Sequence, residues 1–315
     1  MEADRARIGS TEISYAFVEN VRWKGELLVI TPGVEAVRES VAFYVKHYPD
    51  YADALRMYGA IMEVQQAALE EISCSLDAMS PEDVEASLRS GKPLLDPFSF
   101  EIDVAEFRVL AYRICLAIDK LKVGGFSYRE ELLSWEGLSD ERFSDTRNKV
   151  LSGEKLDFVP TGESAERNLA FAGSILWEAL VPFYRKSASI QPVEMEQSLW
   201  RRGKCPVCGC VPLMGKFRKE DGLWLVECSL CHTLWNVQRA QCPFCDDSHG
   251  SLEFLYLDND ESKRASYCKA CKRYVKVVDL RDGGVDVLLP LEDIVTVKLD
   301  LAAKKKGLNR ASGGY

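Results

Sequence analysis

Cys205-Pro206-Val207-Cys208-Gly209, Cys228-Ser229-Leu230-Cys231-His232, Cys242-Pro243-Phe244-Cys245-Asp246 and Cys268-Lys269-Ala270-Cys271-Lys272 hold eight of the eleven cysteines of this 315-residue chain. A two-residue gap turns both thiolates of a pair toward one ion, and a tetrahedral metal needs two such pairs. Four pairs therefore imply two metal sites with Cys205, Cys208, Cys228, Cys231, Cys242, Cys245, Cys268 and Cys271 as ligands. The spacing C-x2-C-x19-C-x2-C lies within the window for a tetrathiolate knuckle protein, and the second, with x22, is slightly longer. Sequential pairing, first with second and third with fourth, fits two tandem ribbons. A cross-braced arrangement would join the first pair with the third.

The two halves repeat one plan. Each opens on a Pro-containing knuckle and continues into strand-like segments, Leu223–Val226 and Thr233–Val237 in the first, Leu252–Leu257 and Tyr274–Leu280 in the second. Chains below roughly 40 residues rarely bury enough surface to fold without a metal or disulfide. A structural zinc contributes apparent binding free energy of about 10–16 kcal/mol, which in such a ribbon is folding energy. Four thiolates suit zinc or a single iron; iron would make a rubredoxin-like centre.

Other uses of the cysteines fit less well. Met1-Glu2-Ala3-Asp4-Arg5 is charged and no apolar stretch of a leader follows, so the reading is of a cytoplasmic chain in a reducing compartment, where disulfides are rare. A thioredoxin-like redox pair needs one Cys-x-x-Cys beside a βαβ pattern. Cys228-x-x-Cys231-His232 matches the haem-attachment motif, but haem there would leave Cys205 and Cys208 without partners. Cys210 reads as a spectator thiol, and Cys74 and Cys115 as small core residues. His232 reads as a strand residue after its knuckle.

Upstream of the cysteines the pattern is helical. Thr31-Pro32 reads as a cap and first turn, followed by Val34, Val37, Val41 and Val45 at helical spacing up to Pro49. Further helices are expected over Tyr51–Ile72, from Ser80-Pro81, over Asp103–Leu121, Tyr128–Trp135, Asp140–Leu151, Glu163–Arg185 and Val193–Trp200, with loops at Gly91–Ser99 and Gly153–Gly162. Glu26–Ile30 is a weak strand signal. The expected fold is α+β: an all-α domain at 1–192, rubredoxin-like metal ribbons at 193–238 and 239–290, and a C-terminal helix with a flexible tail at 291–315. Lys304-Lys305-Lys306 reads as part of a frayed end.

Charge separates these parts. Residues 201–281 hold 14 Lys/Arg against 10 Asp/Glu, whereas the whole chain holds 40 against 49. Bases interleaved with acids make a poor nucleic-acid footprint. No apolar run approaches the roughly 18 residues that span a membrane. Of the three histidines, His47, His232 and His249, only the last two lie near the cysteines. No catalytic or cofactor-binding constellation stands out and no Gly-rich phosphate loop is present, so the expectation is a protein that is not an enzyme.

The cysteine module resembles the FdhE family of formate dehydrogenase accessory proteins. The resemblance is carried by Cys205-Pro206-Val207-Cys208-Gly209, by Cys228 and Cys231 followed by Trp235 and Arg239, by Cys242 and Cys245, and by Leu257-Asp258 ahead of Cys268 and Cys271 with Tyr274 and Lys276 after them. It implies a helical domain with two rubredoxin-like ribbons that bind iron. It also implies a cytoplasmic role in maturing formate dehydrogenase through binding of its catalytic subunit before export. Competing readings are a zinc-ribbon nucleic-acid-binding protein and a rubredoxin-like electron carrier. The oligomeric state, a homodimer included, stays open.

Overall fold

The computed structural model describes residues 28–29, 31–74, 76–123, 138–156, 165–191, 200, 202–238, 241–245, 251–257, 260–282 and 287–310. Six helices precede the cysteines among these: α1 (Val34–His47), α2 (Ala52–Glu71), α3 (Pro81–Arg89), α4 (Val104–Asp119), α5 (Asp140–Ser152) and α6 (Ala165–Ile190). Their starts are written in the sequence. Ser80, Asp103 and Ser139 each turn a side-chain oxygen to the N–H three residues on, which satisfies a donor the helix leaves free. α1 begins later than expected: Gly33, not Thr31, is its extended cap residue. α6 runs through Pro182 to Ile190, past the expected end at Arg185. The helix expected at Tyr128–Trp135 lies outside the described residues. So does that at Val193–Trp200 apart from Trp200 itself, which is not helical.

The cysteine region forms strands β2 (Pro212–Phe217), β3 (Trp224–Cys228), β4 (Thr233–Asn236), β5 (Leu252–Leu257), β6 (Asp260–Cys268) and β7 (Arg273–Asp279). Each half is therefore a three-stranded antiparallel ribbon, one strand more than the sequence suggested. β2 hides behind Pro212 and Gly215, and β6 begins with an Asp-Glu-Ser-Lys run that carries no apolar alternation. The two ribbons are also not independent beads. β2 and β7 pair in parallel through Gly215↔Val277, Lys216↔Val278 and Phe217↔Asp279, giving one sheet in the order β1-β4-β3-β2-β7-β6-β5. Leu28–Val29 (β1) adds to β4 at one end, and Asn309–Arg310 (β8) pairs β7.

Both faces of the central strands are covered, which explains why β3 is buried throughout. Trp224, Val226, Val275 and Val277 face the helical bundle and join its core with Phe107, Ile175, Leu176 and Leu180. Their neighbours Met214, Leu225, Leu234 and Val278 face the opposite way, onto Leu289. Leu289 opens α7 (Leu289–Val295), which leads into α8 (Val297–Lys305). α7 also reaches the first two helices, with Leu291 and Val295 against Val37, Tyr44, Leu55 and Met62. Tyr44 donates to Glu292 across 248 positions at 2.6 Å.

The C-terminal stretch thus differs from the expected frayed end. Lys276 on β7, 1% exposed, reaches Asp293 at 3.0 Å and Asp300 at 2.6 Å. Arg310 pairs with Asp293, and the Tyr274 hydroxyl donates to Asp300 at 2.8 Å. Lys304–Lys306 closes α8 and lies beside the sheet. Residues 311–315 lie outside the described set.

Candidate metal centres

The structure groups the eight cysteines as the sequential reading expects. Cys205, Cys208, Cys228 and Cys231 form one cluster and Cys242, Cys245, Cys268 and Cys271 the other, with all four sulfurs of each within 4.8 Å of one another. Four sulfurs at 2.3 Å from a central ion define a tetrahedron with edges of about 3.8 Å. The Sγ–Sγ separations are 3.5 Å for Cys205–Cys231 and 3.4 Å for Cys208–Cys228. They are 3.7 Å for Cys242–Cys271 and 3.8 Å for Cys245–Cys268. Each group could hold one ion, and the all-thiolate donor set accepts zinc and iron alike.

Local backbone geometry places the thiols. The residue after three of the knuckles adopts a left-handed conformation: Gly209 at φ 73°, His232 at 55° and Lys272 at 60°. That twist folds the chain back so that Gly209 N–H reaches Cys205 O and Lys272 N–H reaches Cys268 O, each at 2.9 Å. Backbone donors also point at sulfur within the knuckles. Leu230 N–H points to Cys228 Sγ and Phe244 N–H to Cys242 Sγ, each at 3.4 Å. His232 is therefore a turn residue and not the strand residue expected.

The surroundings of the two groups differ. All four thiols of the first are fully buried. The loop after α3 supplies Leu94 and Leu95, whose N–H groups donate to Pro206 O at 3.0 Å and Val207 O at 2.7 Å. That loop is itself pinned to the bundle. Arg147 donates to Phe100 O and Phe98 O, each at 2.6 Å, and Tyr184 to Pro97 O at 2.5 Å. From α6 the Trp177 indole donates to Ser229 O at 3.1 Å. Behind the second knuckle, His232 Nδ1 and Glu227 Oε1 meet at 2.5 Å, both buried. The Thr233 hydroxyl lies 3.0 Å from Cys231 Sγ. Burial pushes the Cys205, Cys208 and Cys228 thiols well up, whereas at Cys231 burial acts in the same sense but is outweighed by hydrogen bonds with the other three sulfurs and Thr233, which lower it.

In the second group Cys245 is exposed and Cys271 half-buried, while Cys242 and Cys268 are buried. Burial raises Cys242 and Cys271. For Cys268 burial acts in the same sense but is outweighed by the N–H groups of Cys271 and Ala270, which lower it. The first and third knuckles approach each other closely. A Cβ on Gly203 would overlap the Pro243 carbonyl, so only glycine lets the chain entering the first knuckle pass the third.

Cysteine spacing found the thiols but missed what packs on them. Trp177, Tyr184 and Arg147 come from helical positions, and Leu94 and Leu95 from the loop expected at Gly91–Ser99, none of which carried a site signal. Trp235 was flagged in the motif, and its indole donates to Arg202 O at 3.2 Å, holding the chain that enters the first knuckle. Lys276 and Tyr274 were flagged likewise and serve the C-terminal clamp. His47 lies away from both groups, bonded to Phe43 O. Arg239, Asp246, Asp258 and His249 are outside the described residues. No described helix is long and apolar enough to cross a membrane.

Residues 204–239 match the family model described as FdhE, central domain. The chain is 25% identical over 298 residues to a protein named FdhE homolog from Aquifex aeolicus, covering 93% of this chain and 99% of that one. An FdhE homolog from Haemophilus ducreyi is 33% identical over 140 residues, which is 43% of this chain and 45% of that protein. The crystal structure of the FdhE protein from Pseudomonas aeruginosa shares the fold, with TM-score 0.62, 23% identity, 92% of this chain and 97% of that chain covered.

Proposed function

The chain belongs to the FdhE family, and from that premise we propose that it is an assembly factor for formate dehydrogenase. In this reading it binds the catalytic subunit in the cytoplasm before export and performs no chemistry of its own on a substrate. Each cysteine group binds one metal, zinc or iron, through all four thiolates. The observation that carries the proposal is the pair of tetrahedral thiol clusters, set at the knuckle end of one sheet that a helical bundle backs. Bound ions would lock the knuckles and so fix the shape of a docking surface, because a structural metal in such a module supplies folding energy. The division into a helical domain at 1–192, ribbons at 193–238 and 239–290 and a C-terminal piece at 291–315 is kept as a functional one. The first part gives support, the ribbons hold metal and face the partner, and the last part closes the sheet and borders that face.

The deciding experiment is an anaerobic pull-down from formate-metabolising cells with the whole chain as bait and a Cys242→Ala/Cys245→Ala chain as control. Recovery of the formate dehydrogenase catalytic subunit by the first alone is the expected result. Equal recovery by both, or recovery of nucleic acid only, would overturn the proposal.

A further inference from the structure

Two segments far apart in sequence meet beside the exposed cysteine group. The fourth knuckle contributes Lys269, Lys272 and Arg273, all exposed. The end of α8 contributes Lys304, Lys305 and Lys306, also exposed. They are held together by Asn309 N–H, which donates to Lys272 O at 2.8 Å, and by the pairing of Asn309 with Arg273. The Lys306 ammonium sits 4.7 Å from the centre of the Tyr267 ring, one residue before Cys268. Glu253, paired with Lys269 at 2.7 Å, also draws Lys306. Neither 269–273 nor 304–310 contains an acid. In a chain with 49 acids to 40 bases, six clustered bases run against the general charge.

The same helix leaves apolar side chains in water. Val297 is 40% and Leu301 57% exposed, one helical turn apart, and the row continues to Lys305 a turn later. A short apolar stripe that runs into a basic cluster has the character of a protein contact, with an apolar centre and a charged rim. A nucleic acid would find little use for Val297 and Leu301, and its extended phosphate chain would be repelled by the acidic remainder of the molecule.

We propose that the surface formed by the fourth knuckle and α8, around the exposed Cys245 group, is where this protein docks an acidic amphipathic segment of its partner polypeptide. This deepens the partner-binding reading and rests on it. Acidic side chains of the segment pair with Lys272, Arg273, Lys304 and Lys305, and its apolar residues cover Val297 and Leu301. The docked segment thereby shields the cysteine group from solvent.

The test measures affinity of the purified formate dehydrogenase catalytic subunit, at low and high salt, for the metal-loaded full chain and three variants. One is Lys272→Glu/Arg273→Glu/Lys304→Glu/Lys305→Glu, the second Val297→Ser/Leu301→Ser. The third is a control on the helical bundle, Arg56→Glu/Lys120→Glu. Circular dichroism and metal content confirm that each is folded. Expected are a steep loss of affinity with salt, a loss of at least about tenfold for the first two variants, and an unchanged control. Equal binding by the charge-reversed and parent chains would overturn the surface while leaving the assembly role intact. If the parent chain does not bind the subunit, the assembly role fails instead. The surface is then judged with a synthetic Glu/Leu amphipathic peptide, whose failure to bind, or displacement by a single-stranded oligonucleotide of equal charge, overturns it.

Discussion

Cys228 and Cys268 stand at equivalent places in two ribbons of one plan, yet their clusters live in different solvents. The first is sealed, with every thiol buried and knuckle carbonyls taken up by Leu94, Leu95 and Trp177 from the helical bundle. The second shows Cys245 to water and leaves Cys271 half-buried. Ligand spacing sets what a knuckle can coordinate. What packs on it decides whether the bound ion belongs to the core or to the surface.

The largest test of that contrast removes a ligand from each side. Cys228→Ala should deprive the shared core of its cross-link and leave the chain without a cooperative unfolding transition, since the missing metal energy, about 10 kcal/mol or more, matches or exceeds the stability of most domains. Cys245→Ala should lose one equivalent of metal and keep the remaining ellipticity. Elemental analysis with circular dichroism reads both, and loss of fold in each variant alike would erase the distinction. Kinetics sharpen it further. A soluble chelator should draw one metal equivalent quickly and the other only at the rate of unfolding, and iodoacetamide should label Cys245 first by mass spectrometry.

Smaller effects come from the residues that follow the knuckles. His232 and Lys272 share the left-handed backbone, but only His232 turns back to a buried carboxylate. His232→Ala should cost about 3 kcal/mol in denaturant, because it takes the hydrogen-bond partner from a buried carboxylate oxygen of Glu227. Lys272→Gly should be neutral to slightly stabilising, since it relieves the positive φ with no side-chain partner to lose among the described residues. Smaller again, Trp177→Phe should keep the packing and cost about 1–3 kcal/mol by leaving Ser229 O unpaired in the core.

These expectations also mark how far the sequence could be read. The thiols, their sequential grouping and the helix starts at Pro81, Val104 and Asp140 were legible because each is a local rule: two-residue gaps, or a Ser/Asp cap. β2–β7 pairing was not. Gly215 and Val277 are joined by a parallel register whose only trace is the burial of both strands on both faces, and Pro212, Gly215 and the charged start of β6 mask it. The sealing of the first cluster was likewise hidden, because Leu94 and Leu95 contribute backbone and not side chains. Lys304–Lys306 looked like a frayed end because the partners that hold its helix, Lys276 and Tyr274, are on another strand.

The bond between Tyr44 and Glu292 sets a schedule as well as a contact. Synthesis at about 5–20 residues per second puts Glu292 on the order of ten to fifty seconds behind Tyr44. During that interval the first two helices present to the cell the apolar face that α7 will cover. Val37, Leu55 and Met62 therefore wait for Leu291 and Val295 until about 250 further residues have been made. A protein that would escort another through its assembly passes its own youth with an open flank.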